Sequence, residues 1–412
     1  MPEIAEERSS WFSRFTFLAL VTSLGFIQVP ITLFGQSVVV TDLVFLCVAA
    51  AWLFDVARRR NRPIWHPFYW LLLFYLASLT LSCLFSTDPR QSFLHLPSET
   101  YLLALAFLTA DVTRNSAGLK SALIAWLLGA AFAVLAGVVT IALFYAQPSS
   151  PLLDDLTYHY GAVPVGNYPR ITATFVSASM FCDYLNVSLI LTMLAAAAGW
   201  ISHRLALALG LLVFICSVFT ISVGLGGMFL GLGLIFYFLS YPMSRLRSIA
   251  VLAAGLAALV FLILSTVSLV PLAGLTFAPS GRIMVWRDAF RTFTENPLTG
   301  HGLGLPVANV VFKNSEGSYS LLTDAHNTYL SVAAQAGVFG LVAIVAITVY
   351  FLYKWKDAIR DRRNHVLIGL GVAFLCAFVY QGLTGSFEHA RHLWVLMGLF
   401  IAAERIETDQ NS

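Results

Sequence analysis

The sequence predicts an all-α integral membrane protein of about 12 transmembrane helices, with one large outer loop containing short amphipathic helices. Three observations predict it. Only 11% of the 412 residues are charged and 58% are hydrophobic, against roughly a quarter charged in a soluble globular chain. The mean hydropathy of +0.80 shows that apolar residues run through the whole length. Charges, prolines and glycines also cut the chain into segments near the ~20 residues needed to cross a bilayer.

In order, the apolar runs are 15–35, 38–57, 67–86, 93–111, 119–146, 172–200, 203–221, 223–241, 248–270, 327–353, 364–385 and 391–407. The fourth is the least regular, because Pro97, Ser98 and Glu99 interrupt it. The first is too long for a cleavable signal peptide and lacks a small-residue cleavage site. All five cysteines lie in apolar runs and behave as small hydrophobes, with no CxxC pair or disulfide framework. The chain reads as a single polytopic membrane domain, residues 1–412.

Lys and Arg sort by side. Seventeen of the 24 (Arg8, Arg14, the run Arg58, Arg59, Arg60 and Arg62, then Arg114, Lys120, Arg204, Arg245, Arg247, Lys354, Lys356, Arg360, Arg362, Arg363 and Arg405) fall in alternate loops. The other seven are Arg90, Arg170, Arg282, Arg287, Arg291, Lys313 and Arg391. By the positive-inside rule both termini are expected in the cytoplasm. The longest loop, 271–326, then lies outside, with a second outer segment at 147–170. The basic loops are short and carry no Walker motif, so chemistry is expected on the outer face without nucleotide.

Five outer arginines, Arg170, Arg282, Arg287, Arg291 and Arg391, break the charge pattern. Their planar forks suit phosphate oxygens, although arginines at helix ends also reach toward headgroups. The stretch Ser280–Glu295 reads as an amphipathic helix capped by Ser280 and stopped by Asn296-Pro297. Trp286, Ala289, Phe290 and Phe293 share one face and Arg287 and Arg291 lie roughly opposite. Arg282 falls on the Trp286 side at the N-terminus, where backbone N–H groups favour an anion, and is the first candidate phosphate ligand. The segment Asn296–Pro306 has glycines at 300, 302 and 304, which suit a tight approach to another element or a ligand, and not a nucleotide fingerprint. His301 within it is a site residue or a plain loop histidine.

In Thr323–Leu330 the spacing predicts a helix start with Thr323 or Asp324 as N-cap and His326 in the first turn, where the helix dipole disfavours imidazolium. A neutral histidine there suits a general base; a capping histidine is the plainer reading. Asn327 and Tyr329 offer polar support. Further on, Glu388, His389, Arg391 and His392 crowd a short turn. An ion pair of Glu388 with Arg391 explains it better than a metal site on His389 and His392, so no metal or cofactor is expected. Gly227 and Gly231 form a helix-packing GxxxG.

Taken in order, Gly281-Arg282 with Trp286, Asn296-Pro297-Leu298 with Gly300-His301-Gly302 and Gly304, Ala325-His326-Asn327 with Tyr329-Leu330, then Gly337 and Gly340, resemble the O-antigen ligase superfamily. Arg170-Ile171-Thr172-Ala173-Thr174-Phe175 extends the likeness more loosely. The resemblance implies a lipopolysaccharide-biosynthesis glycosyltransferase of the bacterial inner membrane. It would move a glycan from an undecaprenyl-pyrophosphate-linked donor to a sugar hydroxyl of lipid A-core on the periplasmic face. Its partners would be those two substrates and membrane lipids, with no nucleic acid. It implies pyrophosphate ligands among Arg170, Arg282, Arg287 and Arg391, His326 as base, and His301, Asn327, Trp286 and Tyr329 as supporting residues. One departure is plain: many members read Ser-Arg-Gly where this chain has Ser222-Val223-Gly224, so Arg170, Arg287 or Arg391 must supply that cation here. A polymerase of the same superfamily is the near alternative, and a secondary transporter the alternative of another class. Asp42 and Asp183, within otherwise apolar runs, are the acidic candidates for a transport path, and a large arginine-bearing loop favours surface chemistry over transport.

Overall fold

The computed structural model describes residues 11–26, 31–33, 36–58, 63–157, 168–239, 245–266, 282–313, 319–361 and 364–411. Each of the twelve apolar runs carries a helix. These are α1 (Trp11–Ser23), α2 (Val40–Ala57), α3 (Phe68–Leu84), α4 (Pro89–Val112), α5 (Ser116–Ala146), α7 (Ala178–Ala197), α8 (His203–Phe219) and α9 (Gly224–Leu239). They continue with α10 (Arg245–Thr266), α12 (Thr328–Asp361), α13 (His365–Phe374, followed by a π-helical turn at Leu375–Tyr380) and α14 (Arg391–Asn411). Two helices lie between runs: α6 (Leu152–Leu156) and α11 (Arg282–Glu295). By length and composition α2, α4, α5, α7, α10 and α12 can cross a membrane, and α3, α8, α9 and α13 with its π turn are shorter apolar helices.

Local sequence explains where several elements start. Asp88, Asn115, Ser177, Ser202 and Asn364 each accept a hydrogen bond from a first-turn amide of α4, α5, α7, α8 and α13. α4 begins earlier than expected, at Pro89, and runs through Pro97 without a break. The first run is shorter as a helix than expected: α1 stops at Ser23, and β1 (Ile31–Leu33) pairs antiparallel with β2 (Gln36–Val38). A second hairpin, β3 (Val310–Lys313) with β4 (Tyr319–Leu322), lies within the 271–326 stretch, where only helix was expected.

The helices differ in what surrounds them. In α7, 78% of the spanning window is buried in protein, against 6% in α10. α14 is similarly central: Leu393 to Leu396, Leu399 and Phe400 are all at or below 1% exposure. Lipid tails are as apolar as leucine, so close packing and interhelical hydrogen bonds, not water exclusion, hold such helices together. Trp126 donates to Ser188 Oγ at 3.0 Å, and Asn186 Nδ2 donates to the Gly224 carbonyl at 2.9 Å. α10 packs mainly on α9 and otherwise presents Leu252, Leu256 and Leu264 outward, as a lipid-facing helix would.

α12 carries a kink that receives the Asn296–Pro306 loop. Gly337 has φ 65°, inside an otherwise helical run. A Cβ there would strike the Leu298 carbonyl, and one on Gly300 (φ 76°) would strike the Gln335 carbonyl, so both must be glycine. The Asn296–Pro306 loop clasps this opened turn. Val338 N donates to the Pro297 carbonyl at 2.8 Å, His301 N to the Ala334 carbonyl at 2.8 Å, and Gly304 N to Gln335 Oε1 at 2.7 Å.

Candidate functional site

One end of the bundle gathers the starts of α11, α12 and α14 with the residue 168–177 segment and the α8–α9 corner. Arg170 sits at that corner. Its Nε donates to the Thr220 carbonyl, the C-cap of α8, at 3.1 Å, and Ile171 N donates to the Phe219 carbonyl at 3.0 Å. A helix C-terminus favours a cation. Val223 lies three residues past Thr220, so Arg170 brings a guanidinium to the corner where an arginine stands in the Ser-Arg-Gly pattern.

Arg282 is the first residue of α11. The expected cap, Ser280, lies outside the described residues. Burial, and then the charge of Arg170, bring the Arg282 guanidinium down to about 10. It remains protonated at neutral pH, and the coupling places two cations near one another.

The buried face of α11 is displaced from the expected one. Val285 and Ala289 are fully buried against Val310 and against Val307 and Ala325, and Thr292 Oγ1 donates to the Val307 carbonyl at 3.0 Å. Phe290 is 55% exposed, as is Ile283 at 52%, while Trp286 is half-buried and its indole N–H has no partner among the described residues. The apolar arc of the helix is therefore wider than its protein contact. The remainder faces outward beside Arg282, as suits a helix lying at a lipid interface. Arg287 is exposed, and Arg291 pairs with Glu295 at 2.9 Å on the surface.

His326 is not in the first turn of a helix. α12 begins at Thr328, and Asn327 is its cap: Asn327 Oδ1 accepts from Leu330 N at 3.0 Å, while its Nδ2 donates to the Leu383 carbonyl at 3.1 Å. The dipole argument for a neutral ring is replaced by a contact: His326 Nδ1 lies 3.2 Å from Asp324 Oδ2. The ring stays 42% exposed, open to a substrate. Neither Thr323 nor Asp324 caps the helix. Burial alone would raise the Asp324 carboxyl, but hydrogen bonds from His326 and Ser386 and the charge of His389 hold it below the usual range.

The Glu388–Arg391 pair expected from spacing does not form. The Arg391 fork binds Asp42, Nε to Oδ1 at 2.6 Å and Nη2 to Oδ2 at 2.8 Å. His389 and His392 do not converge: His389 Nδ1 meets Glu99 at 2.6 Å and His392 Nε2 meets Asp183 at 2.8 Å. Burial would lower the His389 ring, yet Glu99 and Glu388 raise it to about 10. Among the described residues, no group of three His, Cys, Asp or Glu side chains could hold a metal. His301 packs against the α3–α4 connection, its carbonyl accepting from Thr87 N at 3.1 Å, and borders a polar cavity of about 420 Å³ shared with Asp288, Arg291 and Thr323. Tyr329 OH sits 3.4 Å from Thr348 Oγ1, packed in the helix core.

Three non-glycine residues have positive φ among the described residues: Ala173, Ile221 and His326, each at 47°. Such strain costs about 1–3 kcal/mol and tends to mark functional sites. All three flank this end: Ala173 follows Arg170, Ile221 follows Thr220, and the third is the histidine itself.

Residues 185–345 match the family described as O-Antigen ligase. The chain is 26% identical over 407 residues to the O-antigen ligase of Pseudomonas aeruginosa, covering 96% of this chain and 91% of that protein. It is 24% identical over 308 residues to the teichuronic acid biosynthesis protein TuaE of Bacillus subtilis, covering 68% of this chain and 60% of that one.

Proposed function

With residues 185–345 an O-antigen ligase family region that contains Arg282 and His326, we propose that this protein is an O-antigen ligase. It transfers a glycan from undecaprenyl pyrophosphate to a sugar hydroxyl of lipid A-core, at the periplasmic face of the bacterial inner membrane and with both termini cytoplasmic. The observation that carries the reading is the approach of two arginines, Arg170 and Arg282, at the same end of the bundle as an accessible histidine. α11 packs on α12, so the helix that begins at Arg282 lies beside the one that begins two residues past His326.

In the transfer, His326 takes the proton of the acceptor hydroxyl. The oxygen forms a bond to the anomeric carbon of the donor sugar, the carbon–oxygen bond to phosphate breaks, and undecaprenyl pyrophosphate departs with the electron pair. Arg170 and Arg282 neutralise the charge that grows on the leaving group, which stabilises the transition state more than the ground state. Of the three arginines able to stand in for the one absent at Val223, Arg170 is favoured by position. Arg391 is engaged by Asp42 and Arg287 lies on the outward face. The donor carries its own activation, so neither nucleotide nor metal enters the reaction.

The test joins genetics to kinetics. Deletion of the gene should remove every lipopolysaccharide ladder band while lipid-linked polymer remains; a single capped repeat would instead identify a polymerase. With purified protein and no ion gradient, His326→Ala should bind donor nearly normally and transfer about 10²- to 10⁴-fold more slowly. Near-normal transfer by a folded His326→Ala protein would remove the base assignment.

A further inference from the structure

We propose that Asp324, held in place by Ser386, is a positioning residue that fixes the His326 ring with its proton on Nδ1 and so leaves Nε2 free for the acceptor hydroxyl. The inference rests on the reading of His326 as base. It adds the group that makes one ring nitrogen, and not the other, the acceptor of the proton.

The geometry is a short relay of contacts. His326 Nδ1 lies 3.2 Å from Asp324 Oδ2, and Ser386 Oγ donates to Asp324 Oδ1 at 2.6 Å. A carboxylate accepts hydrogen bonds only, so the imidazole nitrogen facing it must carry hydrogen. In a neutral ring the other nitrogen is then the lone-pair site, here Nε2. Ser386 is itself anchored: Thr328 Oγ1 donates to the Gly385 carbonyl at 3.1 Å and accepts from Phe387 N at 2.9 Å, tying this turn to the first residue of α12. On the other side of the histidine, Ala325 is fully buried and Asn327 is locked into the cap. The backbone is therefore pinned before and after His326, which sits in the left-handed region at φ 47°.

The charge arrangement behind the pair keeps Asp324 an acceptor. His389, held as a cation by Glu99, lies on the Asp324 side and helps keep that carboxyl ionised. An acid that lost its charge there could present its own O–H to Nδ1 and reverse the tautomer.

A role through His326 differs from a merely structural one in how substitutions combine. In purified protein, Asp324→Asn should lower kcat by about 10- to 100-fold, the usual cost of losing an orienting partner, with donor KM changed less than about two-fold. Asp324→Glu should restore part of kcat, and Ser386→Ala should cost less than Asp324→Asn. In a His326→Ala background, Asp324→Asn should cost nothing further. Equal losses from Asp324→Asn in both backgrounds, or full kcat in the single variant, would overturn the inference. An active His326→Ala protein would instead overturn the base assignment beneath it, so the two failures are distinguishable. Unchanged thermal unfolding and elution in detergent confirm that each variant is folded.

Discussion

The two ends of the helix bundle both pair opposite charges, but one of them also brings Arg170 and Arg282 near each other. At the end formed by the close of α4, α12 and α14, charges of opposite sign meet and cancel. Asp111 holds Arg114 at 3.2 Å and accepts from Trp52 Nε1 at 2.8 Å; Glu404 holds Lys354 at 2.6 Å and accepts from Tyr350 at 2.9 Å. Arg405 caps the carbonyls of Ala110 and Thr113, both at 2.9 Å. At the other end, Arg391 is matched by Asp42 and His389 by Glu99, but Arg282 is depressed by Arg170, a like charge. Paired charges secure helix ends. Two guanidiniums close enough to feel each other's charge are what the proposed pyrophosphate site needs, whereas the opposite end sets Arg114 and Lys354 against the carboxylates of Asp111 and Glu404.

The largest expected effect breaks this comparison directly. Arg282→Ala should cost roughly 10²- to 10³-fold in transfer, the usual loss when a charge-stabilising donor is removed. Lys at 282 should recover only part, since the ammonium keeps the charge and loses the fork. At the opposite end Glu404→Gln should leave kcat unchanged while lowering stability by about 2 kcal/mol, from the lost bonds to a charged group. Kinetics and thermal unfolding in detergent measure both. If Glu404→Gln slowed transfer as much as Arg282→Ala, the division between the two ends would fail.

A smaller effect sharpens it at Arg391. If the Asp42 pair is structural, Arg391→Gln alone should destabilise by about 3 kcal/mol, because it leaves a partly buried carboxylate unmatched. Adding Asp42→Asn should recover much of that stability, and the double variant should transfer at close to the normal rate. A double variant that is stable but inactive would return Arg391 to the pyrophosphate ligands, where the sequence had placed it.

What the sequence could show follows from the solvent. In lipid the backbone must satisfy itself, so apolar helices are compulsory and their positions can be read from composition; each of the twelve runs holds a helix, of which six among the described residues are long and apolar enough to cross a membrane. Two kinds of feature escaped. Contacts between distant residues leave no local signal: Asp42 and Arg391 are 349 positions apart, and Asp324 and Ser386 are 62 apart. The face of α11 escaped because periodicity shows which residues are apolar and not whether protein or lipid covers them. Val285 and Ala289 meet protein while Ile283 and Phe290, on the same wide arc, do not. His326 was legible as a residue type but not as a conformation, since Asn327 rather than Thr323 or Asp324 takes the cap. Glycines 300, 302 and 304 were legible as points of close approach: Gly300 meets the α12 backbone at Gln335, Gly302 the Ser86 and Ser92 side chains, and Gly304 the His95 ring.

A last effect, read through pH, concerns Glu388. Its side chain is 1% exposed and neither carboxylate oxygen has a hydrogen-bond partner among the described residues. Burial pushes this carboxyl from 4.5 up to about 7, with cationic His389 opposing and Asp324 adding to the rise. A group whose folded-state value lies above its unfolded one holds its proton longer in the folded state. Its contribution to stability is then complete below about 4.5 and is lost as pH rises through about 7. The loss is of order 1 kcal/mol per pH unit within that window, and none of it falls above. His389 continues in the same direction, from its ordinary 6.5 up to about 10. Glu388→Gln should therefore flatten the decline in apparent Tm between about pH 5 and 7 and leave the decline from 7 to 9 in place. At the opposite end Glu404→Gln should not produce that flattening. A Glu388→Gln protein whose Tm falls as steeply as the parent's from pH 5 to 7 would show that this carboxyl is already ionised below neutrality. Both ends of the bundle would then hold their carboxylates in the same charged state, and the contrast would rest on the arginines alone.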